Sequence, residues 1–297
     1  MLSQIYTNQG EIGEAFDELF KAGVVKREDL FVTSKLWNNA HKPEHVEKAY
    51  KNTLEELHLE YLDLYLIHWP VAFEPSGGDV SSNDKLVTSK DGQAHLDLQT
   101  SLSDTWGALV ALKKAGKVKS IGVSNFTPSH IEGIIKSTGV VPAVNQIEAH
   151  PLLPQEDLYQ YSLIKGIHLT AYSPLGNSAN YLANSSEDPK KYDLINADEV
   201  QALAKKHNVE PGQVLIAWGA QREGFSIIPK SVTPSRIRKN FEQITLSPEE
   251  HKQVSNRIKK SGHKRFNIPV AYKPIWPINV FSEAEEQKLS DYQVKIF

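Results

Sequence analysis

The sequence predicts an α/β fold, a (β/α)8 barrel, and three observations carry that expectation. Short β-branched or apolar runs alternate with longer amphipathic stretches along all 297 residues. Near-continuous apolar strands separated by helices indicate a parallel sheet covered on both faces. Polar residues close strand after strand, namely Lys35, His68, Asn125, Gln146, Tyr172 and Lys230. An open doubly wound sheet satisfies the alternation equally well. The dinucleotide fingerprint G-x-G-x-x-G is missing, as are the P-loop, G-x-S-x-G and H-E-x-x-H. A ring of polar strand ends suits a barrel, whose chemistry gathers at one mouth. The barrel is therefore the favoured architecture.

In chain order, the fragment MLSQI (1–5) reads as the remnant of a strand ahead of Tyr6. FVTSK (31–35) and LDLYLIH (62–68) are apolar runs ending in Lys35 and His68. VKSIGVSN (118–125), AVNQIEA (143–149), IHLTAYS (167–173) and FSIIPK (225–230) repeat the pattern. Helical periodicity fills residues 10–23, 43–58, 102–116, 128–138, 154–166, 197–208 and 211–223. Ser129 behind Pro128, and Thr233 before Pro234, read as helix caps. Eight strands close a barrel of this kind, so the count falls short by about two β/α units at the front. The chain is otherwise expected to form one domain over 1–297. Residues 71–98 form a connection too long for an idle loop, overhanging the mouth. The aromatic, Pro-punctuated segment 263–297 is expected to pack across the barrel as a tail.

Composition narrows the function. Net charge is −3 with charges interspersed, which points away from nucleic-acid and anionic-membrane partners. There are no cysteines, so thiol nucleophiles, disulfides and Cys-ligated zinc are excluded. No apolar run reaches membrane-spanning length, and no basic-then-apolar leader opens the chain. The Asn-x-Ser/Thr matches at Asn125 and Asn184 carry little weight in that setting. The expectation is a soluble cytoplasmic protein acting on a small molecule, with oligomeric state unreadable.

The stretches YTNQGEIGEAF, VKREDLFVTSKLWN, YLDLYLIHWPVAF, KAGKVKSIGVSNF, VNQIEAHPLL, TAYSPLG and IPKSVTPSRIRKNF resemble the aldo-keto reductase superfamily. The likeness is strongest to its NADPH-dependent aldehyde and aldose reductase branch, fungal aldehyde reductases above all, and it runs through the chain in order. It implies carbonyl reduction by hydride transfer, with Tyr6 as the proton donor that converts the alkoxide to an alcohol. A free phenol has a pKa of about 10; a neighbouring cation lowers it, the role implied for Lys35. His68 would hydrogen-bond the carbonyl oxygen. Members of the family pair the Lys with an Asp five residues before the Tyr, where this sequence has Met1.

The resemblance also assigns a cofactor site. Ser124, Asn125 and Gln146 would hold the nicotinamide carboxamide, Tyr172 would stack on the ring, and Ser173 and Leu175 would line the pyrophosphate. Lys230, Ser231, Thr233 and Arg236 match the adenosine 2′-phosphate site. A Lys and an Arg beside a helix N-terminus concentrate the charge and donors a phosphate needs, so NADPH is expected over NADH. Asn240 matches an adenine contact, although Lys239 stands where the family often has Glu. Trp37 and Trp69 would wall the substrate pocket. Taken one at a time, these residues also read as a terminal Tyr, a surface Lys, satisfied strand-end polar groups, a solvated basic turn and core aromatics. The alternative is a chain that binds NADPH without turning over. An unrelated barrel hydrolase or isomerase would need paired carboxylates or a glycine-rich phosphate loop at strand ends, and neither is seen.

Overall fold

The computed structural model describes residues 2–75, 80, 87, 89–176 and 189–297. They form two compact units. One runs through Asn145 and takes in Ile268–Phe297, and the other is Gln146–Asn267.

The first unit opens with a single 3-10 turn, Gln4–Tyr6, and not with the expected strand. Leu2 N donates to Thr33 O, but Tyr6 N and Thr7 N then turn back onto Ser3 O and Gln4 O. The backbone closes on itself instead of extending. Helix α1 (Gln9–Lys21) follows, then strand β1 (Thr33–Leu36) and helix α2 (Pro43–Leu57). β1 begins two residues later than its sequence run. Phe31 is exposed, and Val32 N is held by the Asp63 carboxylate at 2.9 Å before the ladder starts. α2 has Pro43 in its first turn and buries Val46, Ala49, Tyr50, Thr53 and Leu57, the 3–4 spacing of one helix face.

Strand β2 (Leu62–Ile67) is buried throughout. After a short hairpin of β3 (Ser89–Lys90) and β4 (Gln93–Ala94) come helix α3 (Leu102–Lys114), strand β5 (Val118–Ser124) and helix α4 (Pro128–Thr138). Both helices are capped. Ser101 Oγ accepts from Asp104 N in α3. In α4 the cap is Thr127, whose side chain accepts from His130 N. The expected cap, Ser129, lies two residues too late, and its hydroxyl hydrogen-bonds with Thr127 Oγ1 instead. β1 and β5 flank β2, both parallel to it.

The register fixes what shares a face. Lys35 pairs with Leu66, and Gly122 pairs with Leu66 from the other side. Successive side chains alternate between faces, so Lys35, Leu66 and Gly122, with His68 and Ser124 two residues on, all point one way. Gly122 belongs there because the space is taken. A Cβ at that position would lie 2.5 Å from Val144 O and 2.8 Å from Leu66 Cδ2.

The tail also belongs to this unit. It contains β9 (Ile278–Asn279), a short helix (Ala284–Leu289) and β10 (Tyr292–Gln293). Trp276 sits edge-on to Phe73 and Tyr272, both 4.9 Å between centroids, and to Trp69 at 5.5 Å. The described part of the 71–98 connection joins the same cluster through Val71, Phe73, Val87, Ala94 and Leu96; its residues 76–79, 81–86 and 88 lie outside the described residues.

In the second unit, strand β6 (Val144–Glu148), which enters it from the preceding residues, is neighbour to β7 (His168–Tyr172), and β7 to β8 (Phe225–Ile227). β8 is shorter than its sequence run. Ile228 N still reaches Ala171 O, but Pro229 has no N–H to continue the ladder. The connecting helices include α5 (Glu156–Lys165), α6 (Asp198–His207) and α7 (Pro211–Ala220). α6 and α7 bury Val200, Leu203, Val214, Leu215 and Trp218 in one apolar cluster. The fully buried Glu148 organises this unit's end by accepting from Phe266 N (2.9 Å), Asn267 N (2.8 Å) and the ring of His150 (3.0 Å). Burial pushes its pKa up, but those hydrogen bonds outweigh it and hold the carboxyl below its ordinary value. Strands β1, β2 and β5 in one unit, and β7 and β8 in the other, run parallel with helices between them, the α/β class expected.

Candidate active site

Strand register brings the three catalytic candidates together in the first unit. Lys35 projects from β1, fully buried, and its Nζ lies 3.5 Å from the Tyr6 hydroxyl and 5.0 Å from the centre of the Tyr6 ring. His68 follows β2 directly, its N donating to Leu36 O. Its ring stands edge-on to Tyr6 at 6.0 Å and to Trp37 at 5.1 Å. His68 Nδ1 is 2.9 Å from Ser3 Oγ. Tyr6 itself comes from the 3-10 turn, which Thr7 ends in the left-handed region at φ 55°.

The electrostatics differ from the sequence expectation in one respect. Lys35 was expected to depress the Tyr6 pKa, but burial raises it. Half of Tyr6 is open to solvent as a residue (51%), yet its hydroxyl end lies in packed surroundings. Burial lowers Lys35 to about 7 from 10.5. Desolvation penalises whichever form carries charge, so Tyr6 keeps its proton and Lys35 tends to lose one. His68 is driven well below its ordinary value by burial, then by Lys35 and His41, and is neutral.

Met1, at the position where the resemblance implies an Asp, lies outside the described residues. Lys35 Nζ donates to the Leu2 carbonyl at 3.0 Å, and among the described residues it forms no ion pair. A carbonyl accepts the hydrogen bond but brings no negative charge, which leaves desolvation dominant at Lys35.

The substrate-wall candidates Trp37 and Trp69 are both buried in the aromatic cluster that includes Phe73, Tyr272, Trp276 and Phe281. Trp276 stands 6.0 Å from Trp37, and Tyr272 stands 5.8 Å from Trp69. Sequence reasoning named the first pair and expected the aromatic tail to pack across the barrel, but singled out none of the tail's aromatics. The signal was available in the Trp and Tyr between the prolines of 269–277, but no periodicity said where they pack. Ser3 and the Leu2 carbonyl were also passed over, since neither a Ser nor a backbone oxygen stands out in a sequence.

Ser124 and Asn125, at the end of β5, are buried. Asn125 takes the left-handed conformation (φ 64°), and its Nδ2 donates to His68 O at 2.9 Å and to Ser124 Oγ at 3.2 Å. It therefore ties the end of β5 to the strand end that carries His68.

The remaining cofactor candidates lie in the second unit. Gln146 is buried on β6, and Tyr172 ends β7 half-buried. Ser173 adopts φ 49° and its carbonyl accepts from Gly176 N, closing a tight turn. Leu175 packs on the unit's apolar cluster. Beyond it, residues 177–188 lie outside the described residues.

Helix α8 (Pro234–Phe241) buries no residue at all. Its cap position Thr233 makes no side-chain cap bond, and Thr233 N instead meets Ser231 Oγ at 3.1 Å. Among the described residues no side chain caps this first turn, which follows exposed Lys230 and includes exposed Arg236. That donor set fits a phosphate dianion. Asn240 is half-buried one residue before the helix end, and Lys239 is tied to Glu210 at 2.6 Å.

The family model described as Aldo/keto reductase family matches residues 2–259. Among curated proteins, the D/L-glyceraldehyde reductase of Hypocrea jecorina is 47% identical, covering 96% of this chain and 83% of that protein. Aldo-keto reductase family 1 member A1 of Sus scrofa is 44% identical, with 93% of this chain and 84% of that protein covered. Among solved structures, an aldose reductase from Giardia lamblia superposes with a TM-score of 0.82 at 35% identity, covering 95% and 88%. Among the described residues, no helix is long and apolar enough to cross a membrane.

Proposed function

The chain belongs to the aldo/keto reductase family and is an oxidoreductase, and on that footing we propose that it reduces aldehydes and ketones to alcohols with NADPH. The convergence of Tyr6, Lys35 and His68 carries this reading. When bound, NADPH supplies the hydride that the carbonyl carbon receives. Tyr6 gives its proton to the carbonyl oxygen. Its raised pKa keeps that proton in place until negative charge develops on the oxygen. Lys35, 3.5 Å away, then stabilises the phenolate, and the ammonium form is the one that does so. His68, neutral, hydrogen-bonds the carbonyl oxygen. Trp37 and Trp69 present apolar walls to the rest of the substrate.

For the cofactor, Ser124, Asn125 and Gln146 would hold the carboxamide, Tyr172 the ring face, and Ser173 and Leu175 the pyrophosphate through backbone. Lys230, Ser231, Thr233 and Arg236 would bind the 2′-phosphate, and Asn240 the adenine. The α8 N-terminus, with no side-chain cap and two cations, supports NADPH over NADH. The relative named for glyceraldehyde supports small hydroxylated aldehydes as the first substrates to try.

One observation favours a second reading, a chain that binds NADPH without turnover: Lys35 pairs with a backbone carbonyl and no carboxylate among the described residues. Titrating NADPH against tryptophan fluorescence, then adding an aldehyde to the same sample, separates the two. Quenching followed by NADPH oxidation supports the reductase. Quenching without oxidation selects the second reading.

A further inference from the structure

Ser3 touches both hydrogen-donating candidates. Its carbonyl accepts from Tyr6 N at 3.0 Å, opening the turn that presents Tyr6, and its hydroxyl lies 2.9 Å from His68 Nδ1. Ser3 has no exposed surface, and His68 is nearly as buried. We propose that Ser3 is a positioning residue that locks His68 into the tautomer carrying its hydrogen on Nε2, so that His68 can act only as a hydrogen-bond donor toward a substrate oxygen. This rests on the reductase reading above.

The tautomer follows from counting donors and acceptors. A neutral imidazole has one N–H and one bare nitrogen, and a hydroxyl has one hydrogen to give. Were Nδ1 to carry the hydrogen, it would donate to Ser3 Oγ, and the hydroxyl hydrogen would then need another acceptor. Among the described residues, the only side-chain partner at that hydroxyl is the imidazole. A buried donor left unmade is costly. With Oγ–H donating to Nδ1, the hydroxyl is satisfied and Nε2–H is left to the substrate side. The neutral state itself is enforced first by burial, and then by Lys35 and His41, whose protonated forms would repel a charge on His68. A neutral Nε2–H stabilises a carbonyl oxygen more as it becomes an alkoxide than in the ground state, so the effect belongs in kcat more than in KM.

Two measurements decide it. In protein with 15N-labelled histidine, the His68 pair of ring signals is assigned by its disappearance in His68→Asn. The expected wild-type pattern is a bare Nδ1 and a protonated Nε2. In Ser3→Ala, which keeps the backbone carbonyl that holds Tyr6, the pair should shift toward a mixture of tautomers. Its kcat for an aldehyde should fall by about three- to tenfold, the worth of one neutral hydrogen bond, with NADPH affinity unchanged. Ser3→Thr, which retains the hydroxyl, should restore the wild-type ring signals. A wild-type His68 protonated on Nδ1 overturns the proposal, as does a Ser3→Ala enzyme with undiminished kcat. If the wild-type chain reduces no carbonyl, the reductase reading fails, while the ring signals still decide the Ser3–His68 assignment.

Discussion

Lys35 should make the stability of this protein rise with pH across a range where most proteins are flat. Its amine is fully buried, donates to the Leu2 carbonyl and carries a pKa lowered to about 7 from 10.5. Between those values the unfolded chain holds the Lys35 proton and the folded chain releases it. The unfolded state then binds more protons, so unfolding becomes less favourable as pH rises, by up to about 1.4 kcal/mol per pH unit. From pH 7 to pH 9 the slope starts at half strength, because the folded group is half-titrated at pH 7, and the summed gain is about 2 kcal/mol. Tyr6 does not disturb this window. Its pKa is raised above 10.0, so it contributes a loss of stability only above that pH. The assay is urea unfolding followed by tryptophan fluorescence at pH 7, 8 and 9, for the wild type and for Lys35→Met, which fills the same unbranched volume without the charge. The wild type should gain on the variant by about 2 kcal/mol over the range. A constant difference, or one that shrinks, would show that Lys35 holds its proton and that the desolvation argument is wrong.

Other perturbations have definite expected results. Lys230→Ala with Arg236→Ala should weaken NADPH binding by about tenfold or more per lost charge-assisted bond and leave NADH binding nearly untouched; fluorescence titration with both nucleotides checks this. Glu148→Ala removes the acceptor of two backbone N–H groups and the partner of His150, and should cost about 3–5 kcal/mol in urea unfolding. Trp276→Ala empties the centre of the aromatic cluster and should cost about 3–5 kcal/mol. Gly122→Ala places a methyl 2.5 Å from Val144 O, and its soluble yield should collapse where Gly107→Ala, with open space around it, is tolerated.

What could be read in advance follows from how local the signal is. The alternation of β2, β5 and β7 with their helices was legible because each strand is an apolar run bounded by turn residues. Lys35 and His68 stood out because a polar side chain ends such a run. Their common face was not readable, since it depends on the pairing of Lys35 with Leu66. The turn at Gln4–Tyr6 was misread as a strand because MLSQI is apolar enough for either, and only its hydrogen bonds decide. The pKa of Tyr6 went the opposite way from expectation because a sequence shows the neighbouring cation and hides the burial that outweighs it. The packing of Trp276 depends on contacts some 200 residues apart in sequence, with Trp37 and Trp69, which no local pattern carries. Ser3 is a single small residue whose importance rests wholly on a distance.

The central claim is that Tyr6 protonates a carbonyl oxygen while NADPH is oxidised. It is tested most directly by following NADPH absorbance with D-glyceraldehyde for the wild type and for Tyr6→Phe, which differ by one hydroxyl. The account predicts steady oxidation by the wild type, near-complete loss in the variant, and NADPH binding retained by both. A Tyr6→Phe protein that oxidises NADPH at the wild-type rate would contradict it.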